Sequence, residues 1–240
     1  MSRIFGAIFL LICFSITPIA HADFVAGDIQ IVGFNSDNPD QIAFVNWVPL
    51  SEGTTLYFTD NGFYNSGNLR GGEGELSFDV ATGGLPVGAV TVAELDLGLS
   101  TSGDQIFIGE SAFPNSLDVA YPSADLVFGL NFDGTNWVTT ATGTNDSALP
   151  PSLSTSIGNL DLGEAQNAIY TGPRIGLTIE AFQTEIANSL NWTTSTDAIN
   201  LSAGGSFSAV PEPSAFLFGG IALGLVGAWR FAKRNWVAAE

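Results

Sequence analysis

The chain carries very few of the side chains that perform covalent chemistry. Its 240 residues include one cysteine, Cys13, and one histidine, His21, both near the amino terminus, and one lysine, Lys233, near the other end. The region between them therefore excludes Ser-His-Asp triads, cysteine nucleophiles, Schiff-base lysines, and zinc sites of thiolate or imidazole. Disulfides within it are excluded too. No enzyme of these classes is expected, which leaves carboxylate chemistry or oxygen-bound cations such as Ca²⁺.

Positive charge is almost absent from the same region. Of the 24 acidic residues of the chain, 22 lie within residues 23–209, and the other two are Glu212 and Glu240. The only basic residues in that region are Arg70 and Arg174, so its net charge is near −20. Binding to nucleic acid depends on a basic surface that contacts phosphates. We therefore expect no nucleic-acid partner.

The first 22 residues have the pattern of a secretory signal peptide. Arg3 precedes the apolar run Ile4–Ile16, and Ala20-His21-Ala22 supplies the small residues of a cleavage site. We expect signal peptidase to cut after Ala22. The alternative, an uncleaved anchor, is disfavoured because the apolar run is short and Pro18 interrupts it.

The carboxyl-terminal region predicts a transmembrane helix over residues 214–232. Ser214–Trp229 contains no charge over sixteen residues, which as a helix spans about 24 Å against a hydrocarbon core of about 30 Å. Arg230 can extend to the interface, so the short length does not exclude a span. The cations that follow predict a cytoplasmic end. The alternative is a buried helix of ordinary length.

The segment before this apolar run is Val210-Pro211-Glu212-Pro213, and the cations after it are Arg230, Lys233 and Arg234. This arrangement resembles the PEP-CTERM sorting signal of Gram-negative bacteria that make extracellular polysaccharide, over residues 210–240. The resemblance implies recognition of Pro211, Glu212 and Pro213 by an integral-membrane exosortase, with the basic cluster as the retention element. The chain departs from the pattern because Asn235–Glu240 continue beyond the cluster.

Between these ends, short apolar or alternating blocks are separated by Gly, Asn, Asp and Pro, which is typical of strands and turns. The sequence predicts a mainly β, single-domain two-sheet sandwich over residues 23–209. One amphipathic helix is predicted at Thr178–Asn188, where Ile179, Phe182 and Ile186 share a stripe. The predicted strands are Asp28–Phe34, Gln41–Trp47, Thr54–Asp60, Glu75–Val80, Ala89–Glu94, Gln105–Gly109 and Asp125–Asn131, with shorter pieces near Trp137, Ile169 and Phe207.

Several turn motifs in this domain resemble lamin-tail-like modules of exported bacterial proteins. The motifs are Gly27-Asp28-Ile29, the stretch Gly33–Asp40, Gly53-Thr54, the stretch Tyr57–Gly62, Ser102-Gly103-Asp104, the stretch Asn131–Gly134 and Asn191-Trp192. The resemblance implies an immunoglobulin-type sandwich used for adhesion or presentation, and it implies no reaction.

Four of the turn residues are candidate metal ligands. Asp37, Asp40, Asp60 and Asn61 would form a Ca²⁺ site if they converged at one end of the sandwich, since Ca²⁺ prefers carboxylate and amide oxygens. The preferred alternative is turn chemistry, because Asn and Asp side chains bond nearby backbone groups and Asn-Gly accepts positive φ. The sequence leaves both interpretations open.

Two further patterns have a structural and a functional interpretation. Glu73 and Glu75 would share one face of a strand, at a spacing that suits the paired carboxylates of a glycosidase, although a domain so rich in acids produces such pairs by chance. Trp47, Trp137 and Trp192 could stack on sugar rings if exposed, with Tyr57 and Tyr64 assisting. Aromatic residues in alternating strands belong more often to the core.

We therefore expect an exported, non-catalytic structural or adhesive protein of the cell envelope or extracellular matrix, anchored in the inner membrane before processing and then placed at the cell surface. A Ca²⁺-dependent module that binds extracellular polysaccharide is the alternative, and a carboxylate hydrolase the third class. The expected partners are signal peptidase, exosortase and the inner membrane. No cofactor is required, with Ca²⁺ as the exception in the alternative.

Overall fold

The computed structural model describes residues 24–37, 39–64, 67–94 and 97–211, which form two five-stranded sheets and one α-helix. In spatial order the first sheet contains β12 (Trp192–Ser195), β11 (Asn167–Tyr170), β1 (Ile29–Asn35), β2 (Gln41–Asn46) and β6 (Val90–Glu94). The second sheet contains β10 (Asn159–Asp161), β9 (Leu126–Asn131), β7 (Gln105–Gly109), β3 (Thr55–Thr59) and β5 (Glu75–Asp79). A short ribbon pairs β4 (Asn68–Leu69) with β8 (Val119–Ala120).

All pairings in the two sheets are antiparallel except that of β9 with β10, which is parallel. The predicted signal peptide 1–22, the predicted transmembrane segment 214–232 and the residues Glu212, Pro213, Arg230, Lys233 and Arg234 lie outside the described residues. Among the residues that the structure does describe, no helix is long and apolar enough to cross a membrane.

The two sheets pack face to face through aromatic and branched side chains. The ring centroids of Phe34 and Phe132 are 4.2 Å apart, and those of Phe44 and Phe58 are 5.6 Å apart, each pair joining the two sheets. Side chains alternate between the two faces of a strand, and Ile106 and Ile108 of β7 both face this core. The prediction of a mainly β fold with a single helix is confirmed for the described residues.

Both sheets are also covered on their outer faces, which explains why β1, β7 and β9 are buried along their whole length. Helix α1 (Ile179–Ile186), capped by the Thr178 hydroxyl, covers the first sheet. Its Phe182 ring lies parallel to Trp47 at 5.6 Å. Over the second sheet, long connections form a smaller apolar cluster around Phe107 of β7, with Phe63, Phe113, Tyr121 and Leu153.

The predicted strands agree with the observed ones to within one residue at each end, and Gln105–Gly109 agrees fully. Helix α1 is shorter than the predicted range Thr178–Asn188. Thr178 caps the helix rather than belonging to it, and the helix ends at Ile186, two residues before the predicted end. The piece near Ile169 is β11. Those near Trp137 and Phe207 are not strands, and only single bridges form beside them, at Val138 and Ser208.

The strand register defines two ends of the sandwich. At the acidic end, β1 finishes at Asn35 beside Gln41 and Asn167, and the β6–β7 connection leads across to Gln105, where β7 begins. At the exit end, β1 begins at Ile29 beside Asn46, and β11 finishes at Tyr170 beside Trp192. The two names are used below for these two ends.

Candidate functional site at the acidic end

The structure places the four predicted ligands at the acidic end but gives them different partners. Asp37 and Asp40 lie in the connection between β1 and β2, whereas Asp60 and Asn61 directly follow β3 of the other sheet. The β6–β7 connection links the two pairs. Its backbone N–H groups donate to Asp40, and Gln105, where it ends, donates to the backbone carbonyl of Asp60. The β6–β7 connection therefore joins the two sheets at this end.

The carboxylates of Asp37 and Asp40 each accept two hydrogen bonds from within the domain. Oδ1 and Oδ2 of Asp37 accept from the side-chain amides of Gln166 and Asn167, each at 2.8 Å. Oδ2 of Asp40 accepts from two successive backbone N–H groups, residues 98–99, also at 2.8 Å each. These bonds join loops that lie far apart in the chain, whereas the turn interpretation predicted bonds to nearby backbone groups.

Asp60 and Asn61 hold the loop that enters β5. Oδ1 of Asp60 accepts from the Gly74 N–H at 2.6 Å, and Oδ1 of Asn61 accepts from the Glu73 N–H at 2.9 Å. The Asn61 amide donates in turn to the Gly74 carbonyl and to the Thr59 hydroxyl, at 3.2 and 2.6 Å. Residues 73–74 lie outside the strand ladder. The Asn61 side chain therefore supplies the acceptor and the donor that a neighbouring strand would otherwise provide for their backbone N–H and carbonyl groups.

Asp104 and Gln105, which the sequence did not single out as candidate ligands, complete this buried group. Oδ2 of Asp104 accepts from the Ser100 N–H at 3.0 Å, and Oδ1 accepts from the backbone and side-chain N–H groups of Gln105 at 2.9 and 2.8 Å. The Gln105 amide also donates to the backbone carbonyl of Asp60. Oε1 of Gln105 is buried and has no hydrogen-bond partner.

Burial gives two of these carboxyl groups unusual proton affinities. Desolvation, followed by the charges of Asp104 and Glu73, raises the pKa of Asp60 to about 8. Desolvation raises the pKa of Asp104 to about 7, although its hydrogen bonds oppose the shift. Three N–H bonds stabilise the ionised form of Asp104, and its pKa is the lower of the two. As pH rises, Asp104 therefore loses its proton before Asp60, which is still protonated at neutral pH.

One arginine borders this group. Nη2 of Arg70 lies 3.5 Å from Oδ1 of Asp146, and the guanidinium lies over the Tyr64 ring, 4.9 Å from its centroid. Burial raises the pKa of Glu73, while the Arg70 charge lowers it. Nε of Arg70 and Oε2 of Glu73 are both buried without a hydrogen-bond partner. The site therefore contains one buried donor and one buried acceptor that make no hydrogen bond, and leaving such groups unpaired is costly in a protein interior.

The geometry of a metal centre is not found in the part of the chain that the structure describes, since no three His, Cys, Asp or Glu side chains there are grouped to hold an ion. Glu73 and Glu75 do not share a strand face, because Glu73 precedes β5 and Oε1 of Glu75 accepts from the Phe113 N–H at 3.0 Å. What these residues form is a network that holds protons and fixes loops.

The tryptophans confirm the core interpretation and not the sugar-binding one. Trp47 and Trp192 are buried, and their indole N–H groups donate to Oε1 of Gln30 and to the Ile186 carbonyl at 2.9 and 2.8 Å. Trp137 is half-buried, with its ring 5.7 Å from Phe107. The three tryptophans thus present no row of exposed rings.

Comparison of the chain with protein-family models, with curated proteins and with solved structures finds no match.

Proposed function

We propose that this chain is an exported, non-catalytic structural or adhesive protein of the Gram-negative cell envelope. In this proposal residues 1–22 are removed on export, residues 214–232 hold the precursor in the inner membrane, and an exosortase recognises Pro211, Glu212 and Pro213. Arg230, Lys233 and Arg234 retain the tail on the cytoplasmic side. The sandwich would be of the immunoglobulin or lamin-tail-like type.

The observation that carries the proposal is that the fold is completed by the residues directly before the sorting motif. Phe207 is buried and contacts the rings of Trp47, Tyr170 and Phe182 at 5.2–5.8 Å between centroids. The Val210 N–H donates to the Leu177 carbonyl at 2.9 Å. The domain thus continues up to the motif without a free spacer, as suits a protein displayed directly from its anchor.

The partners of the acidic side chains are consistent with the proposed non-catalytic role. Asp37, Asp40 and Asp104 are engaged in internal hydrogen bonds, and residues 24–211 offer no Cys, His or Lys. A catalytic carboxylate would have to face a cleft where it can reach a substrate. In this domain the carboxylates connect loops.

Fractionation and intact mass of the protein from its native host would test this proposal. We expect mature material that begins at Asp23, is found at the cell surface or in the medium, and ends near residues 210–213. A variant with Pro211→Ala, Glu212→Ala and Pro213→Ala should remain in the membrane with its tail, while Ser208→Ala should be processed normally. Recovery of a freely soluble cytosolic species that retains Met1 and Glu240 would overturn the proposal.

A Ca²⁺-dependent polysaccharide-binding module is the second candidate. It is favoured by two buried oxygens without partners, Oε1 of Gln105 and Oε2 of Glu73, beside the carboxyl groups of Asp60 and Asp104. Carboxylate and amide oxygens are the ligands that Ca²⁺ prefers, although no three acidic side chains of the described residues are grouped to hold an ion in this structure.

Melting of the exported domain, residues 23–210, at increasing Ca²⁺ concentration distinguishes the two candidates. The second candidate requires stabilisation by millimolar Ca²⁺ that Asp60→Asn abolishes and Asp37→Asn does not, because Asp37 bonds the side-chain amides of residues 166–167 and not the Asp60 group. An unchanged melting temperature with Ca²⁺ would eliminate it and leave the first proposal intact.

A further inference from the structure

The exposed apolar side chains of the domain are concentrated at the exit end. Six large apolar side chains are exposed among the described residues, and all but Leu117 lie near the exit end. Ile175 and Leu190 are the most exposed, at 74 % and 89 %. We call the five the apolar rim: Val25, Val87, Ile175, Leu190 and Val210.

The positions of the rim follow from the strand register. Val25 precedes β1, Val87 precedes β6 and Leu190 precedes β12, and all three strands begin at the exit end. Ile175 lies in the connection after β11, which finishes there, and bridges to Ser208. Single exposed apolar residues are ordinary on a protein surface, whereas five at one end of a sandwich suggest a surface that is covered by something apolar.

The chain also leaves the domain at this end. At the acidic end the Ile199 N–H donates to Oδ1 of Asn35, and Leu201 then lies against Gly33 on the outer face of the first sheet. Further on, the Phe207 N–H donates to the carbonyl of Gly88, just before β6. The segment 199–210 therefore runs along the sandwich from the acidic end to the exit end, and delivers Val210 to the apolar rim.

The length of chain that follows restricts what can cover the rim. Three residues, Pro211, Glu212 and Pro213, separate Val210 from the uncharged run Ser214–Trp229. Val210 and Ser214 are four residue steps apart, which span at most about 14 Å, and the polar layer on each side of a bilayer is about 5–8 Å thick. If the uncharged run enters a bilayer, Val210 lies within about two headgroup layers of the hydrocarbon core.

The exit end carries both signs of charge, with Arg174 and, by the strand register, the acidic residues Asp28, Glu52, Asp79, Glu110, Asp125 and Glu185. Arg174 lies at the exit end, where it donates to the carbonyls of Tyr170 and Gly205 and covers the Phe207 ring. The buried acidic network lies at the other end, about 23 Å away along the seven residues of β1. That distance is more than two Debye lengths at physiological ionic strength, about 8 Å each. Repulsion between these carboxylates and anionic lipids is therefore screened.

Acidic side chains near the exit end are partly engaged with the protein itself. Oδ2 of Asp28 accepts from the Val25 N–H at 2.9 Å, and Oε1 of Glu110 accepts from the Phe24 N–H. Oε2 of Glu185 accepts from the Asn191 side chain at 2.6 Å. Each of these bonds lowers the cost of bringing a carboxylate towards a lipid surface.

We propose that the exit end is a membrane-docking surface, on which the apolar rim enters the headgroup layer of the bilayer that holds residues 214–232. The domain then stands end-on, with the acidic end facing away from the lipid. The inference rests on the proposed membrane tether and adds the orientation of the domain. Its occupant is lipid, since the chain that leaves the rim enters the bilayer within three residues.

Site-directed fluorescence on the full chain in vesicles tests the orientation. A single cysteine is introduced as Ile175→Cys, Leu190→Cys or Thr196→Cys in a Cys13→Ser background and labelled with an environment-sensitive dye. Leu190 and Thr196 form a matched pair, because both are exposed and they lie at opposite ends of the edge strand β12. The vesicles contain phosphatidylethanolamine and phosphatidylglycerol, with or without a lipid that carries a nitroxide at its headgroup.

We expect the nitroxide to quench the dye at positions 175 and 190 by about twofold or more relative to position 196, as for side chains that lie in the headgroup layer. Equal quenching at all three positions in chain that floats with the vesicles would overturn the inference and leave the tether standing. Chain that does not float would overturn the tether itself. A dye signal that changes with the density of protein in the vesicles, and not with the nitroxide lipid, would instead indicate that a second copy covers the rim. That result would also overturn the inference.

Discussion

Replacing Asp60 with asparagine should make the domain more stable at neutral and alkaline pH. The pKa of Asp60 is about 8 in the folded protein, against 3.8 for an ordinary aspartate. Between these two values the folded chain binds a proton that the unfolded chain has lost, so the free energy of unfolding decreases as pH rises. The contribution of the protonated carboxyl is complete below pH 3.8 and is lost as pH approaches 8.

The magnitude follows from the size of the window. Each pH unit within it costs about 1.4 kcal/mol for one group, so that raising the pH from 4 to 7 removes about 4 kcal/mol from the free energy of unfolding. This loss is a large part of the 5–15 kcal/mol of an ordinary domain. For a domain of this length it corresponds to roughly 10 °C in melting temperature.

Asparagine should fit at position 60, because its amide oxygen can still accept the Gly74 N–H bond. Asp104→Asn is the matched control. Both oxygens of Asp104 accept N–H bonds, so an amide nitrogen there would face a donor and lower the stability at every pH.

Urea unfolding of residues 23–210 between pH 4.5 and 8.5, followed by tryptophan fluorescence, measures the effect. We expect the wild-type midpoint to fall as pH rises and that of Asp60→Asn to change less, so that the variant is the more stable protein at pH 8. Two parallel curves, or a variant that loses stability as steeply as the wild type, would refute the assignment of a stored proton to this carboxyl.

Three further variants test the packing of the domain. Phe207→Ala should lower the free energy of unfolding by about 3–5 kcal/mol in urea titrations, since it removes a buried ring from the core, and a loss below 1 kcal/mol would contradict the docking of the carboxyl-terminal segment. Gly74→Ala should reduce the yield of folded protein, because a Cβ there would lie 2.3 Å from the Leu97 carbonyl oxygen; a normal melting curve would show that the loop can move. Arg70→Met should raise the pKa of Glu73 and steepen the loss of stability above pH 5, with the sign that applies to Asp60, and a pH profile unchanged from wild type would contradict that coupling.

The local pattern of the sequence predicted most of the fold. Strands such as Gln105–Gly109 and Gln41–Asn46 were found because alternation and β-branched residues are properties of neighbours in the chain. The strands β10 and β12 were missed, since three or four residues are too few to show a period. The order of strands in the sheets was equally outside what periodicity can show.

The candidate site was predicted only in part, for a related reason. Asp60-Asn61 was predicted to form a tight turn with positive φ, but neither Asn61 nor the glycine after it has a positive φ, and the two side chains bond the backbone of residues 73–74 instead. The role of Gln105 was not predicted, since it arises when the β6–β7 connection folds against the Asp60 region, about 45 residues earlier in the chain. The raised pKa of Asp60 likewise requires the burial that this contact produces.

By itself the sequence determined which chemistry this domain lacks, the anionic balance of its surface and the strand-forming blocks of its core, because composition and short-range pattern are properties of the linear chain. The tertiary structure alone decided that the carboxylates at one end would be buried together, that Phe207 would complete the core just before Val210-Pro211, and that five exposed apolar side chains would lie near the end where the chain leaves the domain. These features depend on contacts between residues far apart in the chain, and only folding brings such residues together.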